Sequence, residues 1–187
     1  MIWVMKLNYK KIGDCINITN EKNKSGEVDL LLGININKNF MPSVANTSET
    51  DLSKYKVIRE NHFACNIMHV GRDERLPISL YKNTFPAIVS PAYKTFEIID
   101  FKELLPEFLM IFFKRKSFDH LAWYLSDSSV RGGLDWNRFC DIEIPVPKID
   151  IQEKYSAIFK YVESKKVLNE KIKDISEPLF NLLIEKF

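Results

Sequence analysis

The stretch IPVPKIDIQEKYSAI, residues 144–158, divides the sequence into two parts with different patterns. Pro145 and Pro147 lack a backbone N–H and hold the chain extended, so a helix has to begin after them. Before this stretch, short apolar runs alternate with loop residues. After it, the chain is rich in Lys and Glu, with apolar residues at helical spacing. We therefore predict one domain over residues 1–147 and a separate helix over residues 148–187.

The C-terminal part carries a row of apolar residues at steps of three and four, which is typical of a coiled-coil seam. The row consists of Tyr155, Ile158, Val162, Leu168, Ile172, Ile175, Leu179 and Leu182. It changes phase by one residue near Lys165, and we expect Pro178 to kink the helix or to begin a second helix after Ser176. An amphipathic helix gains its stability from a partner surface, so we expect another helix, from a second copy or another subunit, to cover this row.

Residues 1–147 combine strand-like and helix-like segments. Residues 28–36 and 87–90 are enriched in β-branched and apolar residues, which favours strands. Residues 101–113 place apolar residues three and four apart, the pattern of a helix packed against a sheet. The sequence therefore predicts an α+β fold, with a mixed α/β domain and a long C-terminal helix that pairs with another molecule in the manner of a coiled coil.

The composition is that of an ordinary folded protein with little net charge. Of 187 residues, 45% are apolar, and 27 Lys and Arg against 25 Asp and Glu give a net charge of +2. Binding to nucleic acid would thus need positive charge that is arranged locally. Cys15, Cys65 and Cys140 have no paired spacing, which indicates reduced, buried thiols and a cytoplasmic protein. The longest apolar stretch, residues 108–113, is too short to span a membrane.

The sequence lacks the common motifs of nucleotide and methyl-transfer chemistry. It has no GxxxxGKS or GxxxxGKT loop, no GxGxxG, and no NPPY or NPPF tetrad, to which SPAY at residues 90–93 comes nearest. His62, Cys65 and His69 could converge on a metal or supply a nucleophile. Zinc sites, however, usually take four ligands with paired cysteines, and no orienting acid for a nucleophile is identifiable. We therefore predict no catalytic residue, no metal and no cofactor.

Several segments resemble, in their order and spacing, the target-recognition domain of type I restriction-modification specificity subunits. They are KLNYKKIGD at residues 6–14, PS at 42–43, LSKYKVI at 52–58, FACNIMHVGR at 63–72, VSPAYKTF at 89–96, SVRGGLDWNRF at 129–139, IPVP at 144–147 and Gln152. In the segment at 63–72, Ile67 stands where the family has a proline. The series covers almost the whole chain.

This resemblance implies a domain that reads double-stranded DNA and a helix that sets the distance to a second such domain. It also implies methyltransferase subunits as partners and, through the assembled complex, a restriction subunit. The family joins two domain-plus-helix units in one chain, so a single unit predicts a half-size subunit or a fragment. We keep two alternatives: an interaction protein or decoy that pairs through its helix without reading DNA, and an enzyme that uses His62 and Cys65.

The candidate DNA-binding residues are cationic residues in or near the matched segments. They are Lys54, Lys56, Arg59, Arg72, Arg75, Lys82, Lys94 and Arg131. Of these, we expect Arg72 and Arg131 to matter most. Gly132 and Gly133 follow Arg131 and are expected to let the backbone turn tightly and approach a ligand.

Base choice is expected in two loops, residues 35–39 and 72–75. In the major groove an arginine can pair with guanine and an asparagine with adenine. The aromatic side chains of Trp123, Tyr124 and Trp136 could stack on bases, but we expect all three in the core, where most large aromatics lie.

Overall fold

The computed structural model describes residues 8–43, 50–68, 70–127 and 132–184, of which Arg72 and residues 179–184 are described through their backbone alone. Its strands are β1 Tyr9–Lys11, β2 Ile16–Thr19, β3 Leu31–Ile34, β4 Phe40–Pro42, β5 Lys56–Ile58, β6 Phe63–Cys65, β7 Ile78–Leu80, β8 Ala87–Val89, β9 Lys94–Ile98 and β10 Glu143–Pro145. Its α-helices are α1 Ile12–Cys15, α2 Val70–Asp73, α3 Pro106–Phe113, α4 Lys116–Tyr124, α5 Trp136–Cys140 and α6 Ile149–Ile184, and a 3-10 helix covers Leu52–Lys54. The predicted α+β fold with a long C-terminal helix is confirmed. Within the described ranges, no helix is long and apolar enough to cross a membrane.

The described strands form two four-stranded sheets and a two-stranded ribbon. The central sheet has the order β2-β9-β6-β7 and is antiparallel throughout. The second sheet has the order β4-β3-β8-β5 and is mixed, because β3 runs parallel to β8. The ribbon pairs β1 with β10, so the N-terminal strand is tied to the strand that precedes the long helix.

The central sheet is buried on both faces, because it lies between the helices and the second sheet. On one face Phe63 and Phe96 stack with ring centroids 4.9 Å apart and join a large apolar cluster with residues of α3, α4 and α5. On the other face Ala64 joins a smaller cluster with Ile58 and Val89 of the second sheet. Side chains alternate between the two faces of a strand, so β6 is apolar at every position because both of its faces are covered.

Two elements have other boundaries than the sequence pattern predicted. β3 covers only Leu31–Ile34 of the predicted residues 28–36, whereas β8 matches its prediction closely. α3 begins at Pro106 and not near residue 101. Proline favours the first position of a helix and forces the residue before it, here Leu105, into an extended conformation. The preceding residues form a turn in which the carbonyl oxygen of Asp100 accepts from the backbone N–H of Leu104.

Helix α6 is continuous over 36 residues, a length of about 54 Å. It begins at Ile149, two residues after Pro147, and so follows the two prolines of residues 144–147, as predicted. These four residues are hereafter called the proline linker. The prediction of a second helix after Ser176 is wrong, since α6 continues through Pro178 to Ile184. A proline removes one backbone hydrogen bond, and helix formation is cooperative enough for the turns on both sides to propagate past that loss.

Gln152 fixes the first turn of α6 to the domain with a fully buried side chain. Its Oε1 accepts from the backbone N–H of Leu105 at 2.9 Å, and its Nε2 donates to the carbonyl oxygens of Glu103 at 2.8 Å and Pro147 at 2.7 Å. One side chain thus joins the turn before α3, the proline linker and the helix.

Two to three turns further along, a second contact holds α6 against the end of α3. The amine of Lys114, the residue directly after α3, pairs with the carboxylate of Glu163 at 2.9 Å and lies 5.2 Å from the ring centre of Phe159. From Ser164 to Ile175 every residue of the helix is exposed. The described domain therefore holds the first part of α6 and leaves residues 164–175 uncovered.

We predict that Gln152→Leu lowers the free energy of unfolding by about 3 kcal/mol or more. The substitution leaves one N–H and two carbonyl groups without partners in a buried place, at roughly 1–3 kcal/mol for each unsatisfied group. The neighbouring Glu153 is exposed, so Glu153→Leu is a matched control with an expected change within about 0.5 kcal/mol. Urea unfolding followed by circular dichroism measures both. Equal stability of the two variants would contradict the role given to Gln152.

Candidate nucleic-acid interface

Three of the predicted cationic residues meet at one corner of the two sheets, where β8 turns into β9 over residues 90–93. Lys56 opens β5 opposite Val89, and Lys94 opens β9 opposite Cys65. Lys54 ends the 3-10 helix just before β5. Lys22 joins them by pairing with Lys56 in an isolated antiparallel bridge. These four residues, Lys22, Lys54, Lys56 and Lys94, are named the lysine corner.

Lys22 is a member of the lysine corner that sequence reasoning missed. Its amine donates to the carbonyl oxygen of Lys54 at 3.3 Å, and the backbone N–H of the next residue, Asn23, donates to Tyr55 at 3.0 Å. Lys22 lies outside every segment that carries the family resemblance. The sequence held no signal for it, because only the tertiary pairing brings it beside Lys56.

In the lysine corner Lys22, Lys56 and Lys94 are half-buried, whereas Lys54 is exposed. Lys56 donates to the carbonyl oxygen of Tyr93 at 2.7 Å, and the amine of Lys94 lies 5.8 Å from the ring centre of Trp136. Burial lowers the pKa of Lys56, and the positive charges of Lys22 and Lys94 lower it further. Across the described residues, no carboxylate forms an ion pair with Lys22, Lys56 or Lys94, whereas Lys54 has Asp51 at 3.8 Å.

A close contact between two glycines joins two of the matched segments near this corner. The backbone N–H of Gly71 donates to the carbonyl oxygen of Gly132 at 2.6 Å, and a Cβ added at Gly71 would lie 2.6 Å from the Cα of Gly132. The backbone N–H of Leu134 also donates to Ile67 at 2.8 Å. The close approach expected at Gly132 is therefore made to the chain's own Gly71. Arg131 lies outside the described residues, as does the side chain of Arg72.

The remaining described candidates do not join the lysine corner. Arg59 follows the other end of β5, where its guanidinium donates to both carboxylate oxygens of Glu21 at 2.6 and 3.0 Å. Lys82 is exposed and follows Tyr81, which exchanges backbone hydrogen bonds with Asn61 and His62 in the segment after Arg59. Arg75 is exposed in the segment that leads into β7. The structure thus separates Arg59 and Lys82 from the lysine corner.

The loop at residues 35–39, where base choice was expected, is used by the fold itself. The Oδ1 of Asn35 accepts from the backbone N–H groups of Asn37 and Asn39, both at 3.0 Å. The buried amine of Lys38 donates to the Oδ1 of Asp119 at 2.6 Å and to the carbonyl oxygen of Phe113. These contacts fasten the β3–β4 hairpin to the helices, so we do not assign base reading to Asn35 or Lys38.

The three aromatic residues expected in the core divide between core and surface. Trp136 is half-buried and stacks on Phe139 with ring centroids 4.9 Å apart, as predicted. The prediction is wrong for Trp123, which is 47% exposed, and for Tyr124, which is 82% exposed. Helix α4 buries Phe118 and Ala122, a spacing of four, and the two residues after Ala122 turn away from that face.

The apolar row on α6 is exposed over its described length. The six described members of the predicted row, Tyr155, Ile158, Val162, Leu168, Ile172 and Ile175, are between 41% and 66% exposed, while the side chains of Leu179 and Leu182 are not described. The sequence reasoning missed Tyr161, which is 73% exposed. With Tyr161 included, the steps run three, four, three, four and three from Ile158 to Ile175, and Lys165 occupies the one polar position.

This corrected row faces away from the domain and is hereafter called the seam. Its members are Ile158, Tyr161, Lys165, Leu168, Ile172 and Ile175. Ile149 and Ile151 are half-buried in the first turn of α6, and Ser176 is half-buried near its far end. Between them, the residues that are buried or half-buried against the domain are Gln152, Ser156, Phe159 and Glu163, at steps of four, three and four. On a helical projection they lie opposite the seam. The seam is therefore free of contact with the described domain.

The three cysteines lie in or beside the core of the domain. Cys15 and Cys65 are buried in the core, as predicted, and Cys140 is partly covered. Burial raises the pKa of the Cys65 thiol far above its usual range, so Cys65 stays protonated. Among the residues that the structure describes, no three His, Cys, Asp or Glu side chains form a group that could hold a metal ion. His69, the third member of the alternative metal set, lies outside them.

Comparisons with known proteins identify the fold. No family model and no curated protein matches the sequence. One similar chain, from a study of complex assembly and conformational transition of the type I R-M system, has a TM-score of 0.61 and 10% identity over 98% of this chain and 45% of its own. The HsdS subunit from Thermoanaerobacter tengcongensis has a TM-score of 0.54 and 9% identity over 92% and 41%. The type I restriction-modification S subunit from M. genitalium has a TM-score of 0.54 and 14% identity over 89% and 41%.

These likenesses define the class of fold to which the chain belongs. Almost all of this chain superposes on less than half of each solved chain. At this level of identity the comparison shows the fold alone: an α+β domain and a long helix, as in the S subunits of type I restriction-modification systems. The resemblance predicted from the sequence is confirmed at that level.

We predict that Gly132→Ala destabilises the protein more than Gly26→Ala does. Both glycines have positive φ, 47° and 69°, at which an alanine costs about 1–2 kcal/mol. A Cβ at Gly26 would meet nothing within 4 Å, whereas one at Gly132 would lie 2.8 Å from the backbone nitrogen of Gly71. The difference between the two variants in urea unfolding isolates the cost of separating the two segments. Equal losses would mean that the glycine contact is dispensable.

Proposed function

We propose that this chain reads a short DNA sequence as the specificity component of a type I restriction-modification system in the cytoplasm. In this role it catalyses nothing and directs methyltransferase subunits and, through the assembled complex, a restriction subunit to the target. The observation that carries the proposal is the fold likeness over 98% of the chain at a TM-score of 0.61. The matched sequence segments support it, since several of them meet around the lysine corner.

Recognition of a duplex needs contacts of two kinds. Contacts to phosphate groups hold the protein in register, and contacts to base edges in the grooves select the sequence. The lysine corner offers cations for the first kind. For the second kind we retain residues 72–75, which follow the glycine contact, with Arg72 and Arg131 as candidates. Residues 1–147 would read the DNA, and residues 148–187 would set the spacing.

The long helix supports recognition of a site in two parts. A second copy or a different half-subunit would cover the seam with its own helix. At about 1.5 Å per residue the described helix exceeds one turn of B-DNA, which is about 34–36 Å. Pairing of two identical copies about a two-fold axis would favour a palindromic target with a spacer, whereas a different partner domain would give an asymmetric target.

We predict that the chain binds duplex DNA with an affinity that falls steeply as salt rises. Each phosphate contact makes the slope of log K against log salt steeper by about 0.9, because binding releases condensed counterions. Band shifts with a pool of random duplexes, from 50 to 200 mM salt and with or without a type I methyltransferase subunit, measure this slope. A chain that pairs through its helix but binds no duplex under either condition would be an interaction protein or decoy.

We predict that Ile172→Asp weakens the pairing of two helices on the order of 100-fold, or about 3 kcal/mol. The substitution places an unpaired carboxylate in the middle of the seam. Val167→Asp is the matched control, because Val167 is 51% exposed and lies on the opposite side of α6. Sedimentation equilibrium, with a methyltransferase subunit present in a second series, measures association. Pairing that both variants disturb equally would exclude the seam as its contact surface.

A further inference from the structure

We infer that Lys22, Lys56 and Lys94 form a phosphate-binding site that holds the sugar-phosphate backbone of a DNA duplex. The inference rests on the proposed DNA-binding function and deepens it, because it assigns the contact to particular side chains. Lys22 lies outside the segments that resemble the family, so the inference gives it a role that the resemblance does not. Under this assignment the three lysines fix the position of the duplex without selecting its sequence.

Backbone pairing fixes the positions from which the three side chains extend. Lys22 and Lys56 are partners in an antiparallel bridge, which two flanking hydrogen bonds support at 2.9 and 3.0 Å. Lys94 opens β9 directly after the turn at residues 90–93, and Tyr93 of that turn accepts the hydrogen bond from Lys56. A site built on paired strands loses little conformational entropy when a ligand binds. The three amines are therefore arranged before the duplex arrives.

The three positive charges of this site favour the binding of an anion. The other buried or half-buried lysines in the described domain, Lys10, Lys38 and Lys114, each face a carboxylate, at 2.5, 2.6 and 2.9 Å. Lys22, Lys56 and Lys94 are half-buried as well, yet none forms an ion pair with a described carboxylate. Partly desolvated cations without a counter-charge are costly, and a phosphate group would relieve both the desolvation and their mutual repulsion.

The setting of the site favours the backbone of a duplex over a small phosphate compound. The lysines lie at an open corner between two sheets, and the exposed Lys54 extends the positive charge along that surface. A duplex carries regularly spaced phosphates and gains from counterion release at each cation it meets. A protein with a net charge of only +2 needs such a local arrangement to bind DNA.

The test compares two triple variants that lose equal charge. The first carries Lys22→Gln, Lys56→Gln and Lys94→Gln. The control carries Lys102→Gln, Lys116→Gln and Lys148→Gln, three exposed lysines near the starts of α3, α4 and α6. Band shifts with the random duplex pool, repeated across the salt series, give the slope for each protein. We expect the first variant to reduce the slope by about 2.5–3, at about 0.9 per contact, and the control to change it by less than about 1.

The outcomes separate this inference from the proposed function. Binding by the unmodified chain with equal slopes for both triple variants would overturn the phosphate site and leave the DNA-binding proposal standing. Absence of salt-dependent binding by the unmodified chain, with or without the methyltransferase subunit, would overturn both. A selective loss in the first variant that is the same for unrelated duplex sequences would support the site, because a phosphate contact is independent of sequence.

Loss of the Lys56 hydrogen bond to Tyr93 could disturb the fold, so a second variant keeps that residue. The double variant Lys22→Gln and Lys94→Gln retains Lys56 and is expected to reduce the slope by about 1.8. The conservative variant Lys22→Arg keeps the charge and is expected to retain the unmodified slope. Thermal unfolding at an unchanged temperature shows that the double variant is folded. An unchanged slope in that folded variant would contradict the phosphate site, as equal slopes in the two triple variants would.

Discussion

The buried amide of Gln152 connects the turn before α3, the proline linker and the first turn of α6 through three hydrogen bonds. Because the amide has to satisfy all three groups at once, the start of the helix has one position against the domain. The pair formed by Lys114 and Glu163 then fixes its direction. The orientation of the seam relative to the domain follows from this attachment.

A second constraint acts at the other end of the domain, where strands from both sheets meet at the lysine corner. The contact between Gly71 and Gly132 brings two distant segments together, and only residues without a side chain allow that distance. Lys22, Lys56 and Lys94 nearby are positioned by backbone pairing, and none of them forms an ion pair with a described carboxylate. The domain therefore combines a rigid frame with local positive charge in a protein that is almost neutral as a whole.

The sequence predicted the α+β class, a long helix that begins after Pro147 and apolar residues that stay exposed on that helix. It was less successful where a side chain had two possible environments. Lys38 lies in a segment with the composition of a surface loop, yet its side chain is buried against Asp119. Trp123 and Tyr124 are large aromatics and yet exposed. In each case the outcome depends on which element covers the residue, and local pattern does not contain that information.

What the sequence determined by itself is therefore local. Two prolines stop one element and start another, and steps of three and four place apolar residues on one side of a helix. The tertiary structure alone decided that Lys22 lies beside Lys56, that Arg59 is held by Glu21, and that the seam turns away from its own domain. These relations join residues far apart in the chain, and only the packing of sheets and helices sets which of them meet.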